Sequence, residues 1–101
     1  MINVIASIQI KKGQREAFVE IFKSNVPLVV KEKGCMEYLP TIDVPTGLAP
    51  QELNSNVVTV IEKWRSLVDL RTHLTAPHML AYREKVKDLV ESVSLKVLEE
   101  V

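Results

Sequence analysis

The chain predicts an α+β domain in which a four-stranded antiparallel sheet carries helices on one face, connected in the split βαβ order. Three observations predict it. Residues 2–10, 35–44, 57–64 and 92–101 alternate with the period of two that marks strands. Residues 14–33 repeat apolar side chains at helical spacing between the first two strands. Pro77, which has no N–H to give, starts a helix soon after another has begun, so a helix pair precedes the last strand.

The first strand, INVIASIQI, places Ile2, Val4, Ala6, Ile8 and Ile10 on one face, and Lys11-Lys12-Gly13 supplies the turn. From Gln14 to about Lys33, Ala17, Phe18, Ile21, Phe22, Leu28 and Val29 face inward with Arg15, Glu16, Glu20 and Lys23 opposite. Pro27 lies inside this helix and predicts a kink, while Gly34 is placed to cap it after Lys33. The second strand sets Met36, Tyr38, Pro40, Ile42 and Val44 against Cys35, Glu37, Leu39, Thr41 and Asp43. Pro40 cannot donate to a ladder, which predicts an edge or a bulge there. Residues 45–56, PTGLAPQELNSN, read as an irregular connection whose two leucines suggest packing on something, such as another subunit.

Residues 57–82 hold the only Trp, both His and one of the two Tyr. VVTVIEKW alternates Val58, Val60, Glu62 and Trp64 onto one strand face. Ser66 and Asp69 have the spacing of a capping box, so a helix begins at the end of that strand. It breaks near Thr75 and restarts at Pro77, so His73 and His78 flank a helix junction. The last helix presents Met79, Tyr82, Val86, Leu89 and Val90 inward, and Val93, Leu95 and Val97 share a face of the closing strand.

At 101 residues the chain is a single domain, 1–101, large enough to fold without staples. Thirteen basic and thirteen acidic residues cancel, so there is no electrostatic footprint for nucleic acid or an anionic membrane. Cys35 has no internal disulfide partner, and no apolar run is long enough to span a bilayer or resembles a leader, which implies a soluble, cytoplasmic protein. Aromatics are 5% of a chain that is 47% hydrophobic, so the core is aliphatic and each ring marks a position of interest. A sheet covered by helices on one side leaves its other side bare, and this predicts a homodimer through the sheet faces.

Three segments, IKKGQREAF, VKEKGCMEY and VVTVIEKWRSLVDLRTHLTAPHMLAY, resemble the antibiotic biosynthesis monooxygenase family, with its acidic-x-Trp strand end and His-x-x-x-Pro-His helix junction. The resemblance spans essentially the whole chain and is nearest to the small quinol monooxygenases. It implies a ferredoxin-like domain that pairs into a dimeric α/β barrel. It also implies cofactor-free oxidation of quinols or polyphenols by O2, in a cavity between each sheet and its own helices. The haem-degrading branch of the same superfamily uses an Asn, a Trp and a His at positions that here hold Ala6, His73 and Arg83, so haem degradation is not expected. Related isomerases of phosphorylated signalling sugars remain an alternative, although no Gly-rich phosphate cradle is present.

Dioxygen has a triplet ground state and normally needs a flavin or metal to pass it one electron, but a deprotonated quinol is itself a donor. The protein then needs a base, a dry pocket and groups that hold an anion. His73 and His78 are the candidate bases, since imidazole titrates near neutrality; which of them acts stays open. Trp64, Tyr38, Tyr82, Asn3, Met79 and Phe22 are the candidate substrate contacts, and Glu62 is placed to orient a base if its face is the helix-covered one. Each ring also has a plain structural reading as a core anchor or a cap. Two His five apart with Cys35 distant match no usual ligand spacing, so neither metal nor cofactor is expected. A dimer that binds quinones or other aromatics without turning them over is the competing class.

Overall fold

A computed structural model describes residues 1–101 as β1 (Ile2–Ile10), α1 (Arg15–Val29), β2 (Cys35–Ile42), β3 (Val57–Trp64), α2 (Leu67–Leu74), α3 (Pro77–Val86) and β4 (Val90–Leu98). The strands form one antiparallel sheet in the order β2-β3-β1-β4, with the helices on one side. This is the expected α+β, ferredoxin-like architecture. Alternation on β1 works as read: Val4, Ala6, Ile8 and Ile10 are buried, and β3 adds Val58, Val60, Glu62 and Trp64 beside them. Against that floor α1 lays Phe18, Phe22, Asn25 and Val29, spaced as one stripe of a helix. Pro40 sits on β2, an edge strand, and the pairing slips between Cys35 and Glu37, so the strand is both an edge and irregular.

Several expectations are corrected. Helix α1 runs past Pro27 and stops at Val29 rather than Lys33, because the chain tightens into turns in which Glu32 N–H bonds Val29 O and Cys35 N–H bonds Glu32 O. Gly34 therefore does not cap the helix. It turns the chain into β2 at φ +80, and a Cβ there would overlap the Asp69 carboxylate. Asp69 accordingly forms half a capping box: its N–H donates to Ser66 Oγ, while its carboxylate packs against Gly34. Ala17 and Leu28 face outward, and the inward place between Phe22 and Val29 goes to Asn25, whose Nδ2 donates to Met79 Sδ at 3.4 Å.

Strand β4 begins at Val90, two residues earlier than its alternation suggests, so Leu89 lies in the turn before it and Val90 on the strand. Val93, Leu95 and Val97 pair with Ile8, Ala6 and Val4 and share their face, yet they stay 57%, 49% and 47% exposed because the helical layer stops short of this edge. In the connection 45–56, Gln51 Nε2 donates to Val44 O and Asn54 N–H to Asp43 Oδ2, so polar side chains shape the loop. Leu48 and Leu53 point outward and touch no core.

Across the other face, Ile5 of β1 pairs with Ile61 of β3, which pairs with Leu39 of β2, giving one apolar row. Rows beside it carry Asn3 with Lys63, and Ser7 with Thr59 and Thr41. The open face thus sets one apolar row between more polar ones. No helix is long and apolar enough to cross a membrane.

Candidate active site

Three local devices bring chemistry to one end of the helix-covered face. Period two on β3 carries Glu62 and Trp64 inward after Val58 and Val60, and the indole Nε1–H donates to Glu62 Oε1 at 2.9 Å. The Ser66 cap starts α2 so that its last turn buries His73, whose ring lies 4.5 Å from the Trp64 ring and 5.4 Å from that of Tyr38. Pro77 restarts the chain as α3 and sets His78 in its first turn. The turns after α1 swing Glu32 under the junction. One oxygen, Oε2, accepts from His73 Nδ1 at 2.8 Å and from His78 Nε2 at 2.7 Å.

A carboxylate only accepts, so the shared oxygen fixes His73 as the tautomer with its proton on Nδ1. Burial holds the His73 pKa below its usual value, overriding the Glu32 carboxylate that pulls it up. A neutral ring with Nδ1 protonated carries its lone pair on Nε2. That atom has no protein partner, and no buried side-chain N or O in the chain is sealed without one, so Nε2 is left unsealed on a residue that lines the cavity.

The cavity encloses about 400 Å³ between the sheet and α3, a size suited to a small organic molecule. Ala6, Ile8 and Val60 form its floor, and Val93 and Leu95 of β4 flank its open side. One wall is aromatic: Tyr38 stacks on Phe22 at 5.4 Å, and Tyr82 meets Phe22 edge-on at 5.6 Å. Burial, reinforced by the Glu62 charge, raises the pKa of both tyrosines far above neutrality, the Arg83 charge opposing it at Tyr82, so they remain phenols able to donate to an anion. Glu62 lines the same space, pushed up to about 6 by burial and by Glu32, against the pull of the Trp64 N–H. Arg83 and Lys87 join Glu62 and His73 in a lining that is otherwise mostly apolar.

The pKa of Glu62 has a consequence for stability. Below 4.5 the carboxyl is protonated in both folded and unfolded chains; between 4.5 and about 6 the unfolded chain ionises first, so stability falls as pH rises. Glu62→Gln is expected to remove this slope. Urea unfolding of both proteins at about pH 4 and about pH 7.5 should find the variant's relative stability higher by about 2 kcal/mol at the upper pH. An equal difference at both values would mean that the carboxyl is not raised.

His73, Tyr38, Tyr82, Met79 and Phe22 thus stand on the cavity wall. Trp64 is fully buried behind it, supporting Glu62 and His73. His78 is off the cavity, beside Asn25 and Lys85 in a separate surface recess of about 110 Å³. Asn3 pairs with Lys63 on the open face, because it falls on the odd register of β1 opposite Val4 and Ala6. Glu32 was not singled out by sequence reasoning. It sits in the charged run KEKG, which reads as the solvated end of the first helix, and the one signal for it is that two histidines at a helix junction need an acceptor.

Comparison with known proteins finds relatives of this chain and of its fold. A family model described as "Antibiotic biosynthesis monooxygenase" matches residues 1–85. The protein named "Probable quinol monooxygenase YgiN" from Escherichia coli K12 is 39% identical over 101 residues, covering 98% of this chain and 97% of its own. Among solved structures, a putative antibiotic biosynthesis monooxygenase from Nitrosomonas europaea superposes with a TM-score of 0.83 at 20% identity, covering 100% of this chain and 99% of its own. A conserved protein from Methanosarcina mazei Go1 superposes at 0.84 with 20% identity, covering 99% and 92%. At these identities the superpositions establish the fold.

Proposed function

The chain belongs to the antibiotic biosynthesis monooxygenase family, and we propose that it is a monooxygenase that uses O2 to oxidise a quinol bound in the cavity, with His73 as base. The observation that carries this reading is the free Nε2 of His73, tautomer fixed by Glu32, on the wall of an apolar cavity. The name of the Escherichia coli relative supports the choice of quinols as the substrate class.

Nε2 takes the proton of one phenolic hydroxyl, and the Tyr38 and Tyr82 hydroxyls hold the resulting oxyanion. The quinolate passes one electron to O2, giving a semiquinone and superoxide held in the same dry space. Their unpaired electrons combine into a C–O bond at the ring carbon beside the new carbonyl, and the peroxide anion takes the proton back from His73. The phenyl wall of Phe22 and Tyr38 offers the flat face such a ring stacks on. Against the open face of the sheet, the row Leu39, Ile61 and Ile5 is the strip that a second copy of the chain covers in this reading.

The test supplies an anaerobically reduced naphthoquinol and then isotopically labelled O2. Uptake above the uncatalysed rate is expected, with one labelled atom in the organic product and the other in water. Saturable binding with no catalysed uptake would replace the oxygenase by a binding protein.

A further inference from the structure

Glu62 is the one buried carboxyl of the chain, and base chemistry at His73 gives it no task. Its Oε1 is tied to the Trp64 N–H. Its other oxygen has no protein partner and is not sealed, on a residue that lines the cavity. Groups from every neighbouring element bear on it: Tyr38 from β2, Tyr82 from α3, Glu32 from the turn before β2, and His73 of α2 across the Trp64 ring. We propose that Glu62 is the acid that protonates the departing oxygen when the peroxide O–O bond breaks, and so decides between oxygen insertion and peroxide release. This rests on the quinol reading above.

The ring hydroperoxide bears one hydrogen on the carbon that holds the O–OH group. His73 Nε2 removes that hydrogen as a proton, the C–H electron pair becomes the second bond of a new C=O, and the O–O bond breaks. Hydroxide is a poor leaving group; the proton of Glu62 turns it into water. The proton left on His73 returns to Glu62 through solvent. One quinol and one O2 thus give one hydroxyquinone and one water. Without the acid, the same adduct has a second exit: the remaining phenolate pushes out hydroperoxide anion, giving the simple quinone and hydrogen peroxide from one quinol and one O2. Both exits conserve atoms and electrons, so with His73 left intact the ratio of products reports on the acid.

Glu62→Gln keeps the shape and the acceptor for the indole while removing the proton. With a reduced naphthoquinol and the wild-type protein, hydroxylated product and little peroxide are expected. The variant should still consume O2, with hydrogen peroxide per O2 rising about tenfold or more and the product shifting to the unhydroxylated quinone. Trp64→Phe, which leaves the carboxyl but removes the N–H that aims it, should raise peroxide to a lesser degree and serves if Glu62→Gln fails to fold. An unchanged product ratio in a folded variant of either kind overturns the assignment. If the wild-type protein itself consumes no O2 above the uncatalysed rate, it is the quinol reading that fails, and the two failures are told apart in one assay.

Discussion

His73→Ala is expected to lower kcat for quinol oxidation by about 10²–10⁴-fold, the usual share of a positioned base. His73 is the only histidine on the cavity wall, and its ring is held on three sides: Glu32 on Nδ1, the Trp64 ring at 4.5 Å and the Tyr38 ring at 5.4 Å. Truncation leaves the phenolic proton without an acceptor while the aromatic wall and cavity floor persist, so substrate binding should change much less than turnover. The pH profile adds a second reading. Because burial lowers the pKa of His73, the ring stays neutral below the ordinary histidine value, and the acidic limb of the wild-type profile should lie below about pH 6.5. That limb should disappear in His73→Ala. His78→Ala should cost far less, since its ring never reaches the cavity and acts only through the Glu32 oxygen it shares. Stopped-flow oxygen consumption over a pH series would check all of these, and equal losses in the two variants would sink the choice of His73.

The largest expected effect on stability is that of Trp64→Ala. The side chain is fully buried at the end of β3, and removing an aromatic of that size from a packed core costs about 3–5 kcal/mol. The indole N–H also satisfies Glu62, and leaving a buried acceptor unmatched adds about 1–3 kcal/mol. Set against the roughly 5–15 kcal/mol of a typical domain, this places the variant near unfolding at room temperature. Trp64→Phe keeps most of the buried area and should lose mainly the hydrogen bond. Urea titrations of the two variants would separate the packing cost from the polar one; a loss under about 1 kcal/mol in Trp64→Ala would mean that the indole does not anchor the strand end.

Legibility of the chain followed local physics. Strand β3 and the start of α3 matched their sequence signals to the residue, because an uninterrupted period of two and a proline at the first helical position admit little else. Helix α1 was misjudged at both ends of its logic. Its charged tail KEK continues a helical pattern but folds into turns, and Asn25 hides at an inward position because a polar residue there looks like the solvent side. The site was half legible. His73 and the aromatic wall could be named, whereas Glu32 comes from a segment 41 residues away from His73 and meets it only through tertiary packing. Nor could spacing reveal that His78 faces away from the cavity, since both sides of a helix junction are equally open in one dimension. Asn3 illustrates the cost of a single register step, which puts a strand residue on the far side of a sheet.

The helical layer is narrower than the sheet beneath it, and β4 is left uncovered on the side where the cavity opens. The proposed base and acid, His73 and Glu62, belong to α2 and β3, inside the span matched by the family model, while Val90, Val93 and Leu95 stand beyond residue 85. In the proposed reading, reaction and admission are therefore written in separate parts of the polypeptide. A descendant that held the first part constant and altered a few β4 side chains would keep its chemistry and change its diet.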